Sequence, residues 1–393
     1  QNAPGEVSAM HVRPPFTVRN LLLYFLRLGA TGFGGPIALV AHMDRDLVQA
    51  RGWVTREEFE RGFALAQLAP GPVATQLAMY IGYLRARVVG ATLVSFAFLL
   101  PSFVMVVALG WFYVLYGGLP WVHAIFSSVG AAVIGIIVRS AYKLTRSNLK
   151  ADPFLWGIAC VLAVLNIFTH LDNIWPFLLA GGLAILVLAP PRLFRRKANI
   201  VLLPLVVFLV PFMPPLDLGL IGTIFVFFAK AGAFVYGSGL TIVPFLHVGV
   251  VSELHWLTEQ QFLDAVAVAM ITPGPVVITV AFIGYLVGGF PGACAAALGV
   301  FLPVYLFVVI AARFVERIAH NLRVMAFVRG ITAAATGAIV GSAIVLAQEA
   351  ITDITTAVIA VVSLVLITRG KVPDPIIIIA AAAAGLVFHA FSG

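Results

Sequence analysis

Apolar runs of about 20 residues, long enough to cross a bilayer as helices, follow one another along most of this chain with short polar joints between them. They lie near 91–116, 121–145, 153–170, 174–190, 199–215, 289–313, 324–348, 353–368 and 374–392, and each predicts a spanning helix. Two further pairs, 18–50 with 55–85 and 217–250 with 258–287, are interrupted within their apolar parts. The interruptions are rich in glycine and proline, above all Pro70-Gly71-Pro72 and Pro273-Gly274-Pro275. Lipid offers no partner for the backbone groups freed at such breaks, so they are expected to face protein or a wet cavity.

Composition fixes the solvent. With 62% hydrophobic and 10% charged residues over 393 positions, and a mean hydropathy of +1.07, the chain cannot hide its apolar surface inside one soluble domain. Cys160 and Cys294 stand singly in apolar segments, so neither a disulfide framework nor a metal site is expected. Residues 1–16 read as a flexible tail without the apolar core of a cleavable signal peptide.

The chain also repeats itself. At an offset of 203, residues 27–73 align without gaps on 230–276 and share Gly29/Gly232, Trp53/Trp256, Thr55/Thr258 and Phe59/Phe262. One deletion changes the offset to 202, which continues through Gly82/Gly284, Tyr83/Tyr285, Pro101/Pro303 and Gly135/Gly337. This is the signature of a duplicated unit. The expected organisation is a tail at 1–16, a first repeat at 17–198, a connecting span at 199–215 and a second repeat at 216–393.

Lysine and arginine cluster at Arg13 and Arg19, Arg85 and Arg87, Arg139 to Lys150, Arg192 to Lys197, Arg313 to Arg329, and Arg369 with Lys371, whereas the alternate joints lack them. Basic loops stay cytoplasmic. Counting each interrupted pair as two crossings gives about 13 segments, with the N-terminus inside. Six segments per repeat plus one connecting span would invert the second repeat relative to the first, which is an architecture of alternating-access carriers. The joint near 247–258 carries Glu253 and no Lys or Arg, which fits better if the interrupted stretches are re-entrant hairpins.

Phe33-Gly34-Gly35-Pro36, the block Ala66-Gln67-Leu68-Ala69-Pro70-Gly71-Pro72-Val73-Ala74-Thr75-Gln76 running on to Tyr83, and a second Thr272-Pro273-Gly274-Pro275 resemble the chromate ion transporter family in its long, two-domain form. The resemblance spans about residues 17 to 392. It implies a multi-pass bacterial inner-membrane exporter of chromate, with sulfate as the related ligand, driven by the proton-motive force. Ser238 between Gly237 and Gly239 departs from a run of glycines, so the two halves need not bind alike.

The residues themselves also suit an anion. Arg27 stands about 15 Å into its span by helical rise, and Lys230 occupies the matching repeat position. Intramembrane charges are costly and usually face a partner or a water-filled path; snorkelling of Arg27 to the surface is the competing reading. Helices restarting at Pro72 and Pro275 would present unpaired amides and a positive dipole end. The candidate anion contacts are therefore Arg27, Lys230, Gly34, Gly35, Pro70, Gly71, Pro72, Ala74, Thr75, Gln76, Gly237, Ser238, Gly239, Thr272, Pro273, Gly274, Pro275 and Val277, with the amide of Ile278 and the hydroxyl of Thr241 beside them.

Membrane-enzyme readings fail for want of motifs, since there is no His-Glu-x-x-His, Gly-x-Ser-x-Gly or Walker loop. No cofactor or nucleic-acid partner is expected. A sulfate or other oxyanion carrier and a passive anion channel stay open as alternatives. The run Gly284-x-x-x-Gly288-x-x-x-Gly292 reads as a helix-packing face, which leaves room for a homodimer. Glu60 and Asp264, both preceding a Pro-Gly-Pro break, are the acids able to exchange a proton.

Overall fold

The computed structural model describes residues 17–33, 35–117, 119–150, 152–169, 175–190, 219–234, 236–237, 239, 242–314, 321–351, 353–370, 372 and 374–392. The tail at 1–16, the connecting span expected at 199–215, Gly34, Ser238 and Thr241 lie outside them. Within these limits the chain is helical apart from two short strands. The helices are α1 (Val18–Thr31), α2 (Gly35–Met43), α3 (Arg56–Leu68), α4 (Val73–Tyr116), α5 (Pro120–Leu149), α6 (Pro153–Thr169), α7 (Trp175–Leu188), α8 (Gly219–Phe234), α9 (Ile242–His247), α10 (Glu259–Ile271), α11 (Thr279–Ala311), α12 (Leu322–Ala350), α13 (Ile354–Thr368) and α14 (Asp374–Ser392). The strands are β1 (Gly71–Pro72) and β2 (Tyr236–Gly237).

Each interrupted stretch folds back on itself. Side chains on opposite arms meet at positions symmetric about each break. Gly62 lies against Leu77 and Tyr80 across the first Pro-Gly-Pro. Phe227 stacks on Phe245 across β2 with ring centroids 5.6 Å apart. Tyr113 touches both Asp264 and Phe282, which flank the second Pro-Gly-Pro. The chain therefore turns at the breaker and runs back along itself. Thr55 and Thr258 open α3 and α10 with reciprocal capping boxes to Glu58 and Gln261, which explains why the repeat keeps a threonine there.

The helix following each Pro-Gly-Pro also turns back sharply. In α4 the backbone leaves helical geometry at Ala86 (φ −143°, ψ 32°) and Arg87 (φ 51°, ψ −135°). In α11 the same pair of conformations falls at Gly288 (φ −136°, ψ 22°) and Gly289 (φ 60°, ψ −155°), 202 positions later. Gly82 and Gly90 then face each other's carbonyls, as do Gly284 and Gly292. The predicted glycine packing face is thus taken up inside a helical hairpin, and Gly288 sits at its turn, so it no longer argues for a dimer. The arm 88–116 spans about 43 Å and the arm 290–311 about 33 Å, enough to cross a hydrocarbon core.

The remaining helices interleave the two halves of the sequence. α6 and α7 pack on α12, while α13 and α14 pack on α5, and α5 packs on α12. The shared glycines make this exchange close: Gly135 of α5 abuts the backbone of Ala360 and Leu364 in α13, and Gly337 of α12 abuts that of Ala159 in α6. Two structural groups result, a hairpin group (α1–α4 with α8–α11) and a six-helix group (α5–α7 with α12–α14). Neither coincides with one half of the chain.

Candidate functional site

The four hairpin tips meet in reciprocal pairs. β1 runs parallel to β2, with Gly71 opposite Tyr236 and Pro72 opposite Gly237. Gly274 donates its N–H to the carbonyl of Gly32 at 2.8 Å. At the repeat offset these are one contact made twice, since 71 corresponds to 274 and 33 to 236. Pro273, Gly274 and Pro275 are buried, as is the whole stretch Ala69–Tyr83. The tips also dock on the returning arms in a matched way: a Cβ at Gly71 would stand 2.6 Å from a methyl of Val304, and one at Gly274 would overlap the hydroxyl of Ser102. Both glycines have positive φ, 131° and 99°, a region that other residues enter only under strain.

Helix α4 begins without a side-chain cap, Pro72 being the N-cap residue. Its orphan amides are therefore Ala74 and Thr75, since Pro72 contributes none and the parallel pairing of Pro72 with Gly237 takes the Val73 amide to the Gly237 carbonyl. Pro72 and Pro275 sit one place before the first turn rather than within it. The backbone amide of Gln76 is in position to make the first intrahelical bond. Its side chain is also committed, for Nε2 donates to the carbonyls of Ala69, at 3.2 Å, and of Pro70. The hydroxyl of Thr75 and Oε1 of Gln76 are buried and lack a partner among the described residues. Gln76 thus clamps the break and leaves an acceptor exposed to the tip, where a donor was expected. Gln76→Leu would strand two buried carbonyls; we expect a loss of about 1–3 kcal/mol in stability, measurable as a lowered unfolding temperature in detergent.

The second Pro-Gly-Pro differs in detail. Val276–Ile278 forms a 3-10 turn in which the amide of Ile278 bonds the carbonyl of Pro275 at 3.0 Å. Ile278 is therefore not a free donor, which corrects the expectation drawn from simple helix geometry. Thr272 turns its hydroxyl back to the carbonyls of Val268, 3.0 Å, and Ala269, 3.3 Å, so its proton is also used locally. Gly239 is buried beside Val276 and Val277, with its would-be Cβ 3.2 Å from a methyl of Val277. At Gly35 a Cβ would meet nothing within 4 Å, so its φ of 73°, rather than crowding, requires glycine.

The two cations are not drawn into the tip cluster. Arg27 lies on the exposed face of α1 with Leu23 and Leu26, opposite the face carrying Leu21, Phe25 and Leu28. It precedes Gly32 by five residues, about 7.5 Å of helix. Lys230 is half-buried on α8. Neither has an ion-pair partner among the described residues. The stretch Arg45–Arg61 instead forms exposed pairs, Arg56 with Asp44 at 2.8 Å and Arg45 with Asp46 at 3.1 Å. Glu60 is exposed, whereas Asp264 is buried.

Long apolar helices and backbone breaks gathered at one buried centre mark a polytopic membrane protein. The chain belongs to the chromate transporter family, whose model matches residues 19–186 and 222–386. Members of that family are transporters and not enzymes. The chain is 54% identical to a chromate transport protein of Cupriavidus metallidurans over 97% of its length and 96% of that relative. It is 50% identical to a probable chromate transport protein of Synechococcus elongatus, over 97% and 98%. A chromate transport protein of Pseudomonas aeruginosa is 33% identical over 86% of this chain and 83% of its own. No solved structure matches.

Proposed function

We propose that the chain carries chromate out of the cytoplasm across the bacterial inner membrane by alternating access, using the proton-motive force. The observation that carries this reading is the reciprocal meeting of four hairpin tips at one buried centre. Two family-matched segments, with the same breaks and the same non-helical turns at a constant offset, support an inverted duplication of about 13 membrane segments whose hairpins enter from opposite faces, with the N-terminus cytoplasmic. Chromate is seated at the tips by the amides of Ala74, Thr75 and Val277, by the Thr75 hydroxyl and by the glycine backbone at Gly35, Gly71, Gly237, Gly239 and Gly274, flanked by Pro70, Pro72, Thr272, Pro273 and Pro275. Arg27 and Lys230 supply positive charge along the approach rather than in the seat.

The interleaving of the halves changes the motion to be expected. One sequence repeat cannot rock against the other, because α6 and α7 are anchored on α12 while α13 and α14 are anchored on α5. The moving boundary in this reading is that between the hairpin group and the six-helix group. A dianion crossing a potential of 100 mV changes energy by about 4.6 kcal/mol, so the potential alone contributes strongly to export.

An Arg27→Gln, Lys230→Gln double variant, inserted normally, is expected to lose at least about tenfold in chromate uptake by everted vesicles, equivalent to about 1.4 kcal/mol; unchanged uptake would remove both cations from the mechanism. Amide donors recognise charge and tetrahedral shape, so sulfate is the nearest competing cargo. Competition between radiolabelled chromate and sulfate in reconstituted vesicles separates the two. Uptake that an uncoupler abolishes marks a carrier, whereas uptake that only follows the anion's own gradient marks a channel.

A further inference from the structure

We propose that Asp264 is the proton-carrying group of this transporter, taking up and releasing one proton as the hairpin group moves against the six-helix group. This rests on the reading of the chain as a proton-driven chromate carrier. Asp264 is 1% exposed, and no other Asp or Glu is buried among the described residues. Its carboxylate accepts from Tyr113 Oη at 2.7 Å through Oδ2 and from Gln260 Nε2 at 2.8 Å through Oδ1. No cation pairs with it among the described residues. A buried carboxylate held by two neutral donors and no counter-charge is stable where it stands but costly to move through apolar surroundings. Protonation removes that cost.

Its place in the fold gives the proton somewhere to act. Asp264 lies on α10, the incoming arm of the hairpin whose tip is Pro273-Gly274-Pro275, and α10 packs on α5 and α14 of the six-helix group. Its neighbour Leu263 reaches Gly130 of α5, 3.9 Å from that residue's would-be Cβ. Tyr113 comes from the returning arm of α4, and its ring lies edge-on to Phe126 of α5 at 5.1 Å and to Phe282 of α11 at 5.5 Å. The carboxylate thus sits at the seam between the two groups. The other acids on α10 and α14 have partners of their own. On its own side of the chain, Glu259 of α10 pairs with His247 at 2.6 Å. Tyr285 of α11 lies over Gly110, and Asp374 of α14 faces Arg139 of α5 at 3.8 Å. The matching position in the first half is Arg61, which is exposed, so this proton site belongs to one half only.

The step is a plain acid–base exchange: the carboxylate gains H⁺ from the outer face, the neutral acid crosses the seam, and it loses H⁺ to the cytoplasm while the anion travels outward. Asp264→Asn keeps the shape and the acceptor for Tyr113 but cannot ionise. In proteoliposomes, Asp264→Asn is expected to retain chromate counterflow at equal pH within about twofold, while chromate accumulation driven by an imposed pH gradient falls at least tenfold. Tyr113→Phe removes a donor that favours the ionised form, so its transport–pH profile is expected to move to higher pH. Wild-type-like accumulation in Asp264→Asn, equal loss of counterflow and driven accumulation, or an unmoved profile in Tyr113→Phe would each overturn the proposal. If the wild type itself shows counterflow but no response to the pH gradient, the proton-driven reading fails, and the assignment of Asp264 fails with it while chromate carriage stands.

Discussion

Gly274→Ala is expected to abolish chromate transport and to lower the unfolding temperature in detergent, more than any other single methyl added at the hairpin tips. Three effects coincide there. The new Cβ would overlap the Ser102 hydroxyl, which itself bonds the carbonyl of Gly29 at 3.2 Å, and would stand 3.3 Å from that carbonyl. The φ of 99° would cost about 1–3 kcal/mol in a non-glycine residue. Any shift of the backbone would stretch the 2.8 Å bond from Gly274 to Gly32 that joins one half of the chain to the other. Gly71→Ala has comparable strain, but its close neighbours are the ends of side chains, Gln76 Nε2 and the Val304 methyls, so its loss should be smaller. Ser102→Gly removes the overlap while leaving the strain, and should restore part of the transport lost in Gly274→Ala. Full transport in Gly274→Ala would mean that the tip crossing is not needed for activity.

The parts legible in the sequence were those written as local pattern. Apolar runs gave the long helices and Pro-Gly-Pro gave the breaks, while Thr55 and Thr258 were visible as a repeat match but not as the capping boxes they form. The poor fit of the joint near 247–258 to the positive-inside pattern pointed to hairpins, and the chain does fold back on itself at its breaks. Less legible was everything that depends on which element neighbours which. The sharp turns at Ala86-Arg87 and Gly288-Gly289 do fall at joints read from the sequence, the first marked by Arg85 and Arg87 and the second by two glycines, but their matched backbone geometry was not legible. The exchange of helix pairs between α5 and α12 is a long-range packing choice; its trace was the pair Gly135/Gly337, visible as a match but not as a contact. Depth along a span put Arg27 near the middle of the membrane, yet depth says nothing about azimuth, and the side chain lies on the outward face of α1. Side-chain chemistry at the tips was readable by type and not by use. Gln76 and Thr272 carry donors, but carbonyls left bare by the breaks and by helix ends take them first. Asp264 had no signal beyond its place before a break; its isolation from other charges emerges only from the packing of four helices around it.

Gly29→Leu and Gly232→Leu are each expected to prevent accumulation of folded protein, seen as loss of the monodisperse peak when detergent extracts are sized. In α1 a Cβ at Gly29 would overlap the carbonyl oxygen of Phe98 and lie 3.0 Å from its carbon. In α8 a Cβ at Gly232 would overlap the carbonyl oxygen of Val300, with the carbonyl carbon and Cα both at 2.8 Å. These neighbours are backbone in the middle of a spanning arm, so neither helix can yield by turning a rotamer, and small residues are what permits such approach within a membrane. Overpacking of this kind costs about 1–3 kcal/mol or more, whereas Gly157→Leu or Gly182→Leu, with nothing within 4 Å, should accumulate normally. The consequence reaches the centre, because Gly29 precedes by three residues the carbonyl that receives Gly274, and Gly232 precedes by four residues the strand that pairs with Gly71. Displacing either helix from its arm therefore displaces a tip. A milder Gly29→Ala that folds should still lose transport, since the seat is built from four backbones whose spacing α1 and α8 set. Normal transport by such a variant would show that the tips hold their positions independently of the arms behind them.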